Sequence, residues 1–439
     1  MAGDKAMVAQ GAVSLLPRGP AKRHKPMTAS ATRPFLPAFA VFAGFLAAAG
    51  IPIYIFAPSF YAQNYGTGLT AIAAVLFWLR LLDAVQDPLF GWISERLGRD
   101  RRFWIGFSVF ILIGSLILLF AIPPRTAPLL WFAVSMTGLF SAFSFLTINF
   151  YAQGISAASH LPGKHMQLAA WRETGGLIGI CLAAVAPALL TIWTAAPMVG
   201  FSLGFAGCGL LAAWMMRHQW GGTAPREPSN FARIWRDDPA RRLLILAFVN
   251  AMPVAVTSTL FLFFVTHRLQ ADTWAGGLLL IFFLCAAGTA PVWAKAAQRF
   301  GMRQSLVCAM GLAIVVFALA AFLRGGDVAY FALVCIASGA SIGADLTLLP
   351  AAFAHRLSII APSGGQGFGL WSLMSKLTLA AAAIAVFPIL DGAGFDATAP
   401  EQTEQALWTL TFLYAVCPLV LKLVAIGLLI KTPLQDEQI

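Results

Sequence analysis

Twelve apolar runs of 19 to 27 residues, each closed by a polar or basic break, dominate this sequence. They lie at about 35–61, 69–93, 104–122, 129–152, 167–192 and 196–216, then 243–265, 276–296, 305–323, 328–354, 368–390 and 406–430. A helix needs roughly 20 apolar residues to cross the hydrocarbon core of a bilayer. Inside that core every backbone polar group must be satisfied within the segment or within a closed barrel. The runs are continuous rather than alternating, which excludes a membrane β-barrel. The expected fold class is an all-α membrane protein with twelve transmembrane helices in two six-helix halves. Of the 439 residues, 59% are hydrophobic and 11% are charged, against about 25% charged in soluble domains. A soluble fold could not bury this much apolar side chain. Soluble enzymes, disordered chains and nucleic-acid-binding domains are therefore excluded as readings.

The net charge of +11 is not a nucleic-acid signal, because its distribution is periodic. With both termini on one side, 22 Lys and Arg fall in loops and tails on that side and three (Arg125, Arg268, Arg324) on the other. This bias predicts a multi-pass protein of the plasma (inner) membrane with both termini cytoplasmic. The expected division is a basic cytoplasmic tail at 1–34, a six-helix half at 35–216 and a cytoplasmic linker at 217–242. A second half follows at 243–430, then a cytoplasmic tail at 431–439. The stretch Met7–Leu16 is too weakly apolar to favour a signal peptide. The six cysteines lie inside apolar runs without CxxC spacing and read as packing residues.

The halves repeat. Pro88, Arg96 and Gly98 recur as Pro291, Arg299 and Gly301 at a constant offset of 203 residues. Parallel duplication of this kind builds one class of transporter. Nucleotide-binding, zinc-protease and serine-hydrolase motifs are missing, so the chain is not expected to be an enzyme or an ATP-driven pump. No cofactor is expected beyond a coupling ion, H⁺ or Na⁺, and no other metal. The partners expected are a small-molecule substrate and the lipid bilayer, with the protein a monomer.

Ionisable groups at bilayer depth cost roughly 2.5–3.5 kcal/mol each and mark functional sites by default. The second run places Arg80, Asp83 and Asp87 at i, i+3 and i+7, on one helical face with Gln86 beside them. Two carboxylates on one face form a trap for a cation or a shared proton, with Arg80 as counter-charge; a structural charge network is the plainer alternative. Lys376 in the eleventh run needs a carboxylate partner, which the Asp pair would supply, or else it snorkels. Lys422 lies nearer a membrane surface, where snorkelling is the favoured reading. Arg172 with Glu173 fits either a substrate clamp or an interfacial pair. Ser144, Thr147, Asn149 and Tyr151 could line a cavity, Tyr151 by stacking on a ring, or could bond between helices. Asp345 is a further mid-membrane acid with no local partner.

The loop from Gly91 through Glu95, Arg96, Gly98 and Arg99 resembles the G-x-x-x-D-R-x-G-R-R loop of the major facilitator superfamily, with Glu95 in place of Asp. The stretch Arg80–Pro88 resembles the R-x-x-D-A-x-x-D-P signature of the glycoside–pentoside–hexuronide:cation symporters, the sodium/melibiose permease type. Pro350 to Phe353, Gly364 to Gly369 and Lys376 are similar to that family's segment over spans 10 and 11. The resemblance implies a major facilitator fold and a secondary active transporter, with cation-coupled symport of a sugar, glycoside or related solute by alternating access. It implies cation binding and coupling at Asp83, Asp87, Gln86 (where many members have Asn) and Lys376, with Thr147 where the family has a third acid. It implies substrate binding at Arg172 and Tyr151, with Asn149 and Trp371 as further candidates for the substrate site. Gating would involve Arg80, Gly91, Glu95, Arg96, Gly98, Arg99 and Asp345.

Two departures shape the expectation. Loss of the third cation acid favours H⁺ over Na⁺, since a carboxylate pair suffices for a proton. The family's sugar-gripping Asp of span 1 is replaced by the apolar Phe45–Gly50, which points to a less hydroxylated or amphipathic substrate. An efflux or lipid and amphiphile carrier of the same fold, or a non-transporting membrane scaffold or sensor, remain the alternatives.

Overall fold

The computed structural model describes residues 35–50, 56–158, 164–220, 230–396, 399 and 401–434. The basic tail expected at 1–34 lies outside them. Among the described residues the chain is helical and without strands. Helices α1 (Leu36–Ala48), α2 (Ala57–Tyr65) and α3 (Leu69–Arg96) are followed by α4 (Arg101–Phe120), α5 (Pro128–Ala158), α6 (Lys164–Leu190) and α7 (Pro197–Met216). A short α8 (Phe231–Arg236) in the linker leads to α9 (Asp238–Phe263), α10 (Ala275–Phe300), α11 (Met302–Ala320) and α12 (Val328–Ile360). The chain ends with α13 (Gly365–Gly392), α14 (Glu404–Thr411) and α15 (Cys417–Lys431).

Ten helical stretches among the described residues are long and apolar enough to cross a membrane, and α1 is a shorter apolar helix. The remaining expected run is α3, which is 28 residues long but carries charge along its length. The expected first run holds two helices, α1 and α2. The last is α14 and α15 joined by a π-type turn at Phe412–Val416. α9 starts five residues before the expected boundary. Asp237 caps it by accepting a hydrogen bond from the Ala240 amide at 2.9 Å, and Pro239 fits the first turn.

The repeat has a backbone counterpart. Pro88 lies inside α3 and Pro291 inside α10. Gly98 (φ +50°) and Gly301 (φ +90°) both take the positive φ that a non-glycine residue resists. In the first half, Phe39, Phe42 and Phe45 of α1 pack with Phe150 and Phe205. In the second, Phe264 stacks on Tyr414 at 4.1 Å beside Phe331. Lipid tails supply no hydrophobic drive between helices, so this fit and close backbone approach hold the halves together. α1 and α6 meet through small residues: a Cβ on Gly179 would fall 2.3 Å from the Gly44 carbonyl oxygen. The two halves meet where α3 packs on α13 and where α6 packs on α10 and α12.

Asp237 also receives both edges of the Arg356 guanidinium, Nε at 2.9 Å and Nη2 at 2.5 Å. Those hydrogen bonds hold its carboxyl below the usual carboxylate range. A carboxylate with a lowered folded-state pKa stabilises the protein above its unfolded pKa of about 3.9 and loses that contribution as pH falls through the folded value. Arg356→Ala is therefore expected to cost about 1 kcal/mol near pH 7. The gap to wild type should narrow towards about pH 3. Thermal unfolding in detergent at both pH values checks this.

Candidate functional site

The site grows from one face of α3. Asp83 and Asp87 sit one helical turn apart, 3% and 0% exposed. Their side chains point at Lys376 of α13, whose Nζ lies 2.7 Å from Asp83 Oδ1 and 2.6 Å from Asp87 Oδ2. The ammonium also donates to Ser144 Oγ of α5 at 3.0 Å. Ser144 in turn donates to Asp83 Oδ1 at 3.2 Å and to Asp87 Oδ1. Ser372, one turn before Lys376, donates to Asp87 Oδ2 at 2.6 Å. Gln86 donates to Asp83 Oδ1 at 3.0 Å, and its amide oxygen accepts from Ser141 at 3.0 Å. Three helices from both halves thus converge on two carboxylates and one ammonium. With all three ionised the cluster carries a net charge of −1 in apolar surroundings, a charge that one further cation or proton would cancel.

Ser141, Ser144 and Ser372 complete this cluster; of the three, only Ser144 stands out in the sequence. Ser372 had a usable signal, since it lies four residues from Lys376 on the same face. Thr147 does not join: its hydroxyl is buried without a partner, and Ser144, one turn earlier, takes the position nearest the acids.

A second group lies on α5 and α6. The Arg172 guanidinium stacks 3.6 Å over the Tyr151 ring. Arg172 Nε is 2.8 Å from Glu173 Oε1, and the Tyr151 hydroxyl donates to the same oxygen at 3.1 Å. Arg172 is 5% exposed, buried within the bundle. Its Nη2 is buried without a partner, leaving one edge of the fork open to an acceptor. Asn149 points elsewhere. Its amide oxygen accepts from Ser94 at 2.7 Å and Arg101 Nε at 2.8 Å, and its amide nitrogen donates to the Phe145 carbonyl. Trp371 packs on Phe353 with ring centroids 5.1 Å apart.

The face of the molecule that carries the 96–102 loop and the linker is here termed the basic end. Close to it, α3 and α13 meet backbone to backbone: a Cβ on Gly91 would fall 2.5 Å from the Gly365 carbonyl oxygen. Glu95 accepts from the Gln366 backbone amide at 2.8 Å and from its side chain at 3.0 Å. Tyr151 and Phe368 close the same region, ring centroids 5.1 Å apart. Arg96 stacks at 3.7 Å on Trp92 of its own helix. Gly98 forms the turn into α4. The side chains of Arg80 and Arg99 lie outside the described ones.

Asp345 has none of these residues as a hydrogen-bonding partner. It pairs with Lys422 at 2.5 Å, and Lys422 also donates to Asn250 at 2.7 Å. The snorkelling expected of Lys422 is overturned: the side chain is 2% exposed. With a carboxylate and an amide oxygen inside the bundle, the ammonium has better partners there than at the surface. Among the described residues no group of His, Cys, Asp and Glu could hold a metal ion in a multi-ligand cage.

The comparisons with known proteins fit this architecture. The family model described as MFS/sugar transport protein matches residues 38–436. A Salmonella typhimurium (strain LT2) protein named for sulfoquinovose import is 28% identical over 204 residues, 42% of this chain and 41% of that one. The inner membrane symporter YicJ of Escherichia coli (strain K12) is 23% identical over 228 residues, 47% and 48% of the two chains. The chain thus spans less than half the length of these two curated relatives. The mouse sphingosine-1-phosphate transporter MFSD2B is 25% identical over 442 residues, 87% of each chain. Among solved structures, a bacterial homologue of the iron transporter ferroportin in an outward-facing state superposes with a TM-score of 0.66 at 16% identity, covering 90% of this chain and 98% of that one. At that identity the likeness shows the fold alone. The chain belongs to the MFS/sugar transport protein family, with relatives of the glycoside–pentoside–hexuronide type, and has the major facilitator fold.

Proposed function

We propose that this protein is a cation-coupled secondary transporter of a sugar-type solute, working by alternating access with both termini cytoplasmic. The observation that carries the reading is the buried pair of carboxylates, Asp83 and Asp87, on the single ammonium of Lys376, a cluster that joins helices of the two halves. In the empty carrier Lys376 bridges the carboxylates and holds α3 against α13. A cation that binds there competes with the ammonium for the acids and loosens this bridge. A proton suits the site better than Na⁺, because the ammonium already occupies the space between the two carboxylates, and a proton needs only one lone pair. The open edge of Arg172 beside Tyr151 is the proposed contact for a hydroxyl or anionic group of the solute.

In this reading the contacts of Gly91, Glu95, Gly365 and Gln366 shut the basic end, and the solute would enter from the opposite face. Rocking of the halves would part α3 from α13 at the basic end and release the solute there.

The test is uptake into proteoliposomes of a panel of glycosides, pentoses, uronic acids and sulfonated sugars, driven by a pH or Na⁺ gradient. One or more solutes should accumulate only when a gradient is imposed, and Arg172→Ala should raise the KM for that solute about tenfold or more. Uptake indifferent to both gradients would overturn the coupling. A second reading, a carrier of amphiphiles, has support from the match to a sphingosine-1-phosphate transporter along 87% of the chain and from the wholly apolar α1. The same panel extended with lysophospholipids and long-chain amines separates the two.

A further inference from the structure

The solute-transport reading leaves one buried polar group unused, the Asp345, Lys422 and Asn250 cluster. Its members come from α12, α15 and α9, all in the second half, and are 9%, 2% and 2% exposed. Asp345 Oδ2 accepts from Lys422 Nζ at 2.5 Å, and Asn250 Oδ1 accepts from the same nitrogen at 2.7 Å. Asp345 Oδ1 is dry and has no partner. The ammonium has three N–H groups and two acceptors here. A purely structural pair has no reason to leave both positions open. The pair of Asp237, the N-cap of α9, with Arg356 of α12 shows the contrast, with both carboxylate oxygens engaged.

An empty acceptor beside an empty donor fits a group that both donates and accepts. An alcohol hydroxyl does this: its O–H donates to Asp345 Oδ1, and its oxygen accepts the third Lys422 N–H. The position on the molecule agrees. Ile342 and Leu346, either side of Asp345 on α12, belong to the small apolar cluster that includes Leu177 of α6 in the first half. That cluster lies on the surface where the halves meet, so parting of the halves in the proposed cycle would uncover the Asp345 face. All three polar residues ride on the second half, so the subsite stays assembled through the cycle. The Asp83, Asp87 and Lys376 cluster, by contrast, spans both halves. The apolar Phe45–Gly50 segment of the first half offers no carboxylate for a solute hydroxyl, so an acceptor must come from elsewhere.

We infer that Asp345, Lys422 and Asn250 form a hydroxyl-binding subsite on the second half of the molecule. The inference rests on the reading of this protein as a carrier of hydroxylated solutes. The test compares wild type, Asp345→Asn and the charge-balanced pair Asp345→Asn with Lys422→Met, which removes both charges together and guards against misfolding. The probes are the transported sugar and its series of monodeoxy analogues, read as competition against labelled sugar uptake, with thermal unfolding as the check on folding.

Wild type should bind one monodeoxy analogue at least tenfold more weakly than the parent sugar. The variants should lose that discrimination at one hydroxyl and keep it at the others, with gradient dependence unchanged. Folded variants that discriminate at every hydroxyl as wild type does would overturn the subsite and mark the cluster as a structural pin. Affinity falling equally for all analogues would overturn it as well. Failure of the transport reading would look different, because wild type itself would then show no competition by any sugar, and the subsite would fall with it.

Discussion

Asp87→Asn should abolish uphill accumulation of the solute, lowering the accumulation ratio from its gradient-driven value to about one. Asn is nearly isosteric, and its amide can still meet Ser144 and Ser372, so the helix packing should survive. The charge balance does not survive. The wild-type cluster holds two carboxylates and one ammonium, and with all three ionised it carries −1. The variant holds one of each and is neutral without a bound cation. It therefore resembles the loaded carrier permanently, and nothing in it requires an ion to enter before the halves move. Downhill exchange of solute should persist while coupling disappears. Because the group is buried within an ion-paired network, the loss should exceed what a surface ion pair gives, which is about 0–1 kcal/mol. Exchange and accumulation measured side by side in proteoliposomes check this. Accumulation at wild-type levels would remove Asp87 from the coupling step.

Gly91→Val is the second large effect. The α3–α13 contact at the basic end leaves no room for a side chain, since even a Cβ would fall 2.5 Å from the Gly365 carbonyl oxygen. The obstacle is backbone on a facing helix, which cannot swing away as a side chain would. The two helices must part, and the Glu95 hydrogen bonds to Gln366 must lengthen or break. The form closed at the basic end then loses population. A penalty of about 3 kcal/mol shifts such an equilibrium by roughly a hundredfold. Hydrogen–deuterium exchange of the amides in the first turn of α13 should rise at least tenfold, with transport falling in step. Unchanged protection there would show that this contact does not form the gate.

The sequence made the helical class and the positions of the spans readable because a bilayer enforces them: runs near 20 residues and a one-sided charge bias are physical requirements, not tendencies. Asp83, Asp87 and Lys376 were legible as a group because two acids at i and i+4 share a face, and a lone mid-span lysine must find a carboxylate. Their serine partners were harder to read. Ser141 and Ser372 look like any small polar residue in an apolar helix, and only the packing of α5 and α13 against α3 gives them their acceptors. The Asp345 and Lys422 pair was not legible at all. The partners are 77 residues apart, with Asn250 172 residues from Lys422, and a single charge in each of two spans carries no periodicity that could join them. Asn149 misled for a related reason. Its place among hydroxyl-bearing residues suggested a cavity wall, whereas Arg101 at the start of α4 claims its oxygen.

The most direct test of the account is the charge moved in one turnover. Purified protein adsorbed on a solid-supported membrane is exposed to a jump of a neutral transported sugar, and the transient current is integrated. A cluster that starts at −1 and loads one cation predicts one positive charge moved per sugar, in the direction of the sugar, and no current in Asp87→Asn. Sugar uptake without any charge movement in the wild type, or the same current in Asp87→Asn, would contradict it.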